Sequence, residues 1–350
     1  VNGSRKNSVR ATDHTLNDID PLAQQIWDLV AHSPLHNLWD FQGASAALVW
    51  KRTFRAILSD DLLSRAAEMG YYFLFALFPT LVSASSILGL AARQASHIYD
   101  KLLHYLSLVV PGGAYSMVIE TFNQTAAHAT TGKITIGLVA AIWSASVGFA
   151  SIQDGMNTVY KVRESRPYWM ARGQAILVTM LLSVMVTANL AVLLGGDLFA
   201  KLMYLRIWHH HVALGTVLVI HIVQWLVASS LLLMQFSTIY YFAPDLKVKC
   251  WHWVTPGAVI GIGGWVVCSL GLRIYLHFFN SFSMTYGSLG GVIILLTWFY
   301  MTGLMLLLGA EVNSEIQAAV AEKHLKEHGV IPPEVDAEPK MVEGVPLPLR

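Results

Sequence analysis

The stretch YGSLGGVIILLTWFYMTGLMLLLGAEVN, Tyr286 to Asn313, decides the fold class of this chain. No charged residue occurs between Gly287 and Ala310, and the apolar run closes on Glu311. At a rise of 1.5 Å per residue, a helix from Tyr286 to Glu311 spans roughly 37 Å, somewhat more than the roughly 30 Å hydrocarbon core of a bilayer. Such a helix is long enough to cross. Tyr286, Gly290, Ile293, Thr297, Tyr300, Leu304, Leu307 and Glu311 recur at helical spacing and gather small and polar side chains on one face. That face is expected to look toward protein and the remainder toward lipid.

Working upstream, five further stretches have the length and polarity of crossing helices: Ala66 to Ala92, Ile134 to Asn157, Ala175 to Gly196, Val212 to Tyr241 and Trp253 to Phe279. Pro79 removes a backbone hydrogen bond inside the first and is expected to kink it. The expected fold is therefore all-α, a polytopic membrane protein with six transmembrane helices. Composition agrees, since 55% of the 350 residues are hydrophobic and 13% charged, against roughly 25% charged in soluble domains. A net charge of +1 gives no global basic field of the kind nucleic acid requires. Cys250 and Cys268 show neither metal nor redox spacing, and no cofactor or metal motif is present.

Residues 1–20 are polar, without the apolar core of a cleavable signal peptide, and read as a disordered tail. Residues 21–65 mix Ile26, Trp27, Val30, Trp39, Phe41, Trp50 and Phe54 with charges, a pattern of cytoplasmic or interfacial amphipathic helices that either lie at the membrane surface or pack on the cytosolic face of the membrane domain. The connection from Arg93 to Lys133 carries apolar stretches too short to span, which read as amphipathic helices on the outer surface. Residues 66–318 form the six-helix domain, and the charged, then proline-rich residues 319–350 read as a flexible cytoplasmic tail. With the N-terminus inside, the cytoplasmic segments collect most of the Lys and Arg, including Arg5, Lys51, Arg163, Arg166, Lys247 and Lys323, while Arg93, Lys133, Lys201 and Arg273 are among those outside. The positive-inside rule then puts both termini in the cytoplasm.

Threading the helices alternately brings Glu68, Asp154 and Glu311 to the cytoplasmic edge, beside Arg163 and Arg166 in the turn after the second span. Opposite charges there either clamp helix ends together or line a mouth for a charged substrate. In the fourth span, His221, Gln224, Ala228 and Gln235 share a face. His221 lies roughly 14 Å from Val212 along the helix, near mid-membrane, with Asn189 of the third span as the candidate partner. Buried hydrogen bonding and a role in a substrate path are both open readings for this pair. Arg273 near the outer end of the fifth span either snorkels or attracts an anionic head group. His209, His210 and His211 point in different directions on a helix and read as an interfacial loop. The glycines of the fifth span, Gly257, Gly261, Gly263, Gly264 and Gly271, read as close helix packing.

Four segments together resemble one family: GYYFLFALFPTL in the first span, QDGMNTVYKVRESRP after the second, YYFAPDLKVKCWHWVTPGAVIG between the fourth and fifth, and the stretch quoted at the outset. They resemble the YihY/BrkB family of bacterial inner-membrane proteins, over roughly Phe54 to Ile316. Members have carried the labels ribonuclease BN and virulence or serum-resistance factor, and some are connected with lipid or lipopolysaccharide transport. The resemblance implies a multi-pass protein of the bacterial inner membrane. Metal-dependent RNA cleavage needs clustered carboxylates or His/Asp motifs beside a basic channel, and the acids here are scattered at helix ends.

The expected function is transporter-like rather than enzymatic, moving or binding a lipid or other amphipathic anion. The candidate substrate path comprises Glu68, Asp154, Arg163, Arg166, Asn189, His221, Gln224, Arg273, Tyr300 and Glu311. Membrane lipids and an amphipathic substrate are the expected partners, nucleic acid is not, and homo-oligomerisation stays open. A non-transporting scaffold whose N-terminal region docks a partner is the alternative reading, with a ribonuclease third.

Overall fold

The computed structural model describes residues 21–32, 38–40, 45–91, 115, 119–120, 131–206, 210–278 and 288–327. They form eight helices: α1 (Pro21–His32), α2 (Ala46–Ser59), α3 (Leu62–Ala91), α4 (Thr131–Val159), α5 (Tyr168–Arg206), α6 (His210–Phe242), α7 (Pro256–Phe278) and α8 (Ser288–Glu327). Five of them, α4 to α8, are long and apolar enough to cross a membrane. The first expected span falls on α3, a 30-residue helix that runs through Pro79 without a break. The tail at 1–20 and the surface helices between Arg93 and Lys133 lie outside the described residues, apart from short helical fragments.

α8 is the axis of the bundle. α3 packs along one of its sides and α7 along another, α4 packs against α3, and α5 and α6 pair with each other as a hairpin. Lipid tails are as apolar as leucine, so helices in a bilayer associate through close packing and hydrogen bonds rather than hydrophobic burial. The sequence supplies small residues where that closeness is needed. A Cβ on Gly257 would collide with the carbonyl oxygen of Gly309, and one on Gly70 would lie 3.1 Å from the backbone nitrogen of Tyr300. A Cβ on Gly303 would lie 3.3 Å from the carbonyl oxygen of Ala66. The expected glycine packing of the fifth span is thus present at Gly257 and Gly261, whereas Gly263 and Gly271 meet nothing.

The start of α7 shows how one helix satisfies another. Thr255 caps it, its hydroxyl accepting the Ala258 N–H at 3.0 Å, and Pro256 occupies the first turn where its missing N–H does no harm. Asn313 of α8 then accepts the Gly257 N–H at 2.9 Å and donates to the Thr255 hydroxyl at 3.1 Å. Tyr240 of α6 donates to the Leu306 carbonyl at 3.1 Å, which ties the hairpin to the axis.

Two expected boundaries move. α3 begins at Leu62, inside the segment assigned to interfacial helices, and α8 continues to Glu327, past the tail boundary at 319. Ala319, Val320 and Ala321 are buried because α1 and α2 cover this continuation. Val49 of α2 and Leu38 pack on Val312, Ile316 and Ala319, and Arg52 pairs with Glu322 at 2.7 Å. The exposed rings of Trp50, Phe54, Tyr168, Trp169 and Trp253 cluster at this end of the bundle, in the manner of an aromatic belt at a membrane surface.

Gly257→Ala is expected to destabilise the protein by about 1–3 kcal/mol through overpacking, whereas Gly263→Ala, which meets open space, leaves stability unchanged or slightly raised. Thermal unfolding of the two variants in one detergent checks the contrast.

Candidate functional site

Three polar centres emerge, and they divide the sequence candidates among them. The first is built on Arg166. Its guanidinium grips Glu164 with two parallel bonds, 2.5 Å to Oε1 and 2.6 Å to Oε2. It also donates to Gln174 at 2.6 Å and approaches Asp245 at 3.4 Å. Asn157 donates to Glu164 at 2.8 Å and accepts the Asp245 N–H at 2.8 Å, while Ser165 donates its N–H and hydroxyl to Asp245 at 2.7 and 2.6 Å. The RESRP and APDLK segments therefore meet in one network that joins the ends of α4 and α6 to the start of α5.

Charges in this network shift one another. Partial burial opposes ionisation of Glu164 and Asp245, but the bonds from Arg166, Asn157 and Ser165 outweigh it, so both carboxyls lie below their usual range. The bond to Glu164 raises Arg166 further. Lys249 beside it is held below the usual lysine range by burial and by the Arg166 charge. This is the clamp reading of Arg166, with different partners from those expected. Glu68 instead pairs with Arg65 at 3.6 Å on the exposed side of α3, and Asp154 is an exposed side chain within electrostatic reach of Glu68, Arg65, Glu164 and Arg166. Arg163 is exposed.

The second centre lies on the hairpin. Gln224 is buried and donates to the Leu193 carbonyl at 2.6 Å, with Asp197 Oδ1 at 3.3 Å. His221 Nε2 stands 3.6 Å from the same Asp197 oxygen, and Nδ1 lies 2.8 Å from the Val217 carbonyl oxygen. Asp197, not Asn189, is thus the partner of His221. Ending the third span at Gly196 left Asp197 out of it, while α5 continues to Arg206. An acid in the otherwise apolar run LLGGDLF was the signal that identifies it. Gly196 matters here because a Cβ on it would collide with the Gln224 side chain. Asn189 is half-buried, and its Oδ1 has no hydrogen-bond partner among the described residues.

Gln224 and His221 therefore face α5, and not the polar stripe of the last helix. His221 instead borders an open, shallow apolar patch on the outer face of α6, with Ile222, Trp225, Leu226 and Ser229. It lies 11 residues from the start of α6 and 20 before Tyr241, about 16 and 30 Å along the helix.

The third centre surrounds Glu311. It does not end its helix at an edge level with Glu68 and Asp154; α8 runs on to Glu327 and Glu311 is fully buried within the bundle. Of the stripe quoted from the sequence, Gly290, Leu307 and Glu311 are buried, Tyr300 is half-buried against α3, and Ile293 is exposed. Arg273 is an exposed side chain of α7. A cavity of about 40 Å³ lies at this end, lined by Tyr160, Lys249, His252, Asn313 and Gln317 among others. Among the described residues no group of three or more His, Cys, Asp or Glu side chains could hold a metal ion. The side chains of His209, His210 and His211 lie outside the described set.

With this geometry in hand, residues 53–331 match the family model described as Virulence factor BrkB. The chain is 32% identical over 260 residues to a ribonuclease-like protein, YfkH, of Bacillus subtilis (strain 168), covering 72% of this chain and 88% of that relative. It is 26% identical over 277 residues to a UPF0761 membrane protein of Tolumonas auensis, covering 77% of this chain and 84% of the relative. No solved structure matches.

Arg166→Gln is expected to cost about 1.5–3 kcal/mol, the range for hydrogen bonds to charged groups. Because Glu164 and Asp245 are held below their ordinary values of 4.5 and 3.8, their stabilisation is complete above those values and is lost as pH falls through the lowered ones. Thermal midpoints measured from pH 7 downward should fall in the native protein and fall less in the variant, where Ser165 and Asn157 still hold Asp245 and Glu164.

Proposed function

The chain belongs to the BrkB family of multi-pass membrane proteins, and on that footing we propose that it is a transporter-like protein that binds a membrane lipid or similar amphipathic molecule. The observation that carries this reading is His221, 3.6 Å from Asp197 and itself partly exposed, at the edge of an open apolar face of α6. Ionisable side chains near the end of a spanning helix lie where lipid head groups sit and can bond to them. A lipid has the matching chemistry. Its polar head meets this station at the far head-group level, while Ile222, Trp225 and Leu226 run from there toward the bilayer centre beside its chains.

We place six spans in the membrane, with α3 as the first, and both termini on the cytoplasmic side of a bacterial inner membrane. The Lys and Arg excess in the segments around Arg55, Arg166 and Lys249 supports that orientation. The scaffold reading is the weaker one, because α1 and the Val49 face of α2 are already packed on the protein, and the exposed Trp50 and Phe54 of α2 suit a membrane surface. No covalent chemistry enters the proposal; the ribonuclease-like name belongs to YfkH.

Two measurements test it. Native mass spectrometry of the full chain should show bound lipid, and Asp197→Asn combined with His221→Leu should weaken retention about tenfold, the equivalent of one charged hydrogen bond; equal retention contradicts the reading. For orientation, Cys250, half-buried near Lys249, should react with a membrane-impermeant maleimide in inside-out vesicles and not in intact spheroplasts. The reverse pattern inverts the topology.

A further inference from the structure

Neither the Arg166 network nor the lipid station uses the groups around Glu311. Glu311 is fully buried, and neither carboxylate oxygen has a hydrogen-bond partner among the described residues. Glu315, one turn along α8, is buried as well. The cation within reach of Glu311 is Lys161, and its ammonium is held by Asp60 Oδ1 in the link between α2 and α3. The other charged group facing these acids is Arg52 of α2, which acts on Glu315 and is bonded to Glu322. At the start of α7 lies the neutral Thr255, bonded to Asn313 of α8.

Lys161 is held in place by its backbone. It occupies the left-handed position after α4, with φ of 54°, where glycine is the usual residue. The Val162 N–H bonds back to the Asn157 carbonyl at 2.9 Å and the Lys161 N–H to that of Thr158 at 3.1 Å, which is the Schellman pattern. A lysine is tolerated there at a backbone cost, and its ammonium lies over the Trp27 ring at 6.0 Å as well as on Asp60.

A second observation points to a ligand. Tyr160 and Gln317 line the 40 Å³ cavity, which is large enough for water. Tyr160 is within electrostatic reach of Glu311 and hydrogen-bonding reach of Gln317, and Gln317 is buried with Oε1 lacking a partner among the described residues. An ionised carboxylate enclosed without a donor is strongly disfavoured, and a proton removes that penalty.

We propose that Glu311 is a proton-binding site served through the Tyr160 and Gln317 cavity, with the Lys161 ion pair keeping Asp60 ionised so that the proton resides on Glu311. The bound species is a single proton on a carboxylate oxygen, taken from and returned to water in the cavity. Such a site supplies ion coupling to a carrier that has no nucleotide-binding motif. The lipid station is not needed for it.

Difference infrared spectroscopy of the full chain in nanodiscs at pH 7 tests the assignment on the protein alone, so its outcome is separable from that of lipid retention. The native protein should show a carboxylic-acid carbonyl band that shifts in D2O and on ¹³C labelling of glutamate carboxyls, and the band should be lost in Glu311→Gln. Lys161→Met should add a second band that ¹³C-glutamate leaves in place, because Asp60 then takes a proton too. A native protein without the band, or a band that survives Glu311→Gln, overturns the proposal. So does a Glu311→Gln protein that fails to fold, since glutamine is the uncharged isostere of the protonated acid.

Discussion

Backbone contact between α7 and α8 at Gly257 and Gly309 is the constraint on which the rest of the bundle depends. It brings the α7 N-terminus close enough for Asn313 to satisfy Gly257, which aligns Thr255 as a cap and sets the position of the whole fifth span. The Tyr240 bond to Leu306 uses the same closeness, because a bulkier residue at Gly309 would occupy the place of the Tyr240 hydroxyl. In a medium where apolar surface alone does not drive association, these few polar contacts give the helices their register. The buried acid of α8 is then enclosed by the elements that this register draws in.

The two unusual polar regions sit at opposite ends of the helices and differ in kind. Around Glu311 the side chains are enclosed by α1, α2 and the turn after α4, beside a small cavity lined by Tyr160 and Gln317. Around His221 they open outward along an apolar surface. The proposed proton site and the proposed amphipathic site are the two parts that coupled movement of a lipid would use, joined where Tyr240 ties the hairpin to α8. The Arg166 network lies in the same turn after α4 as Lys161, at the Glu311 end, and holds α4, α5 and α6 together there.

Much of the fold was legible. Apolar run length placed the spans, and the glycine spacing of α7 marked its packing face. Length alone did not mark where helices stop: α5 and α8 outrun their apolar cores, because Asp197 and Lys201 in one and Glu315 and Glu322 in the other are compatible with helix and are stabilised by neighbours. That is why Asp197 was missed and Glu311 was placed at an edge. Packing of α1 and α2 on the membrane domain was one of two readings open in the sequence, but not that they cover the end of α8, since amphipathic periodicity shows that a face is buried without showing against what. Arg166 was found as a clamp residue, but its partner Asp245 lies 79 positions away, beyond what local spacing can pair.

The most direct measurement is an experimental structure of the full chain in lipid nanodiscs, inspected along the α6 face from His221 to Ser229. The expected result is elongated density along that face, with its polar end within hydrogen-bonding distance of His221, Asp197 or Gln224 and its chain against Trp225. The contradicting result is a face covered by another part of the protein or by a second copy, with Asp197 and His221 sealed from the membrane.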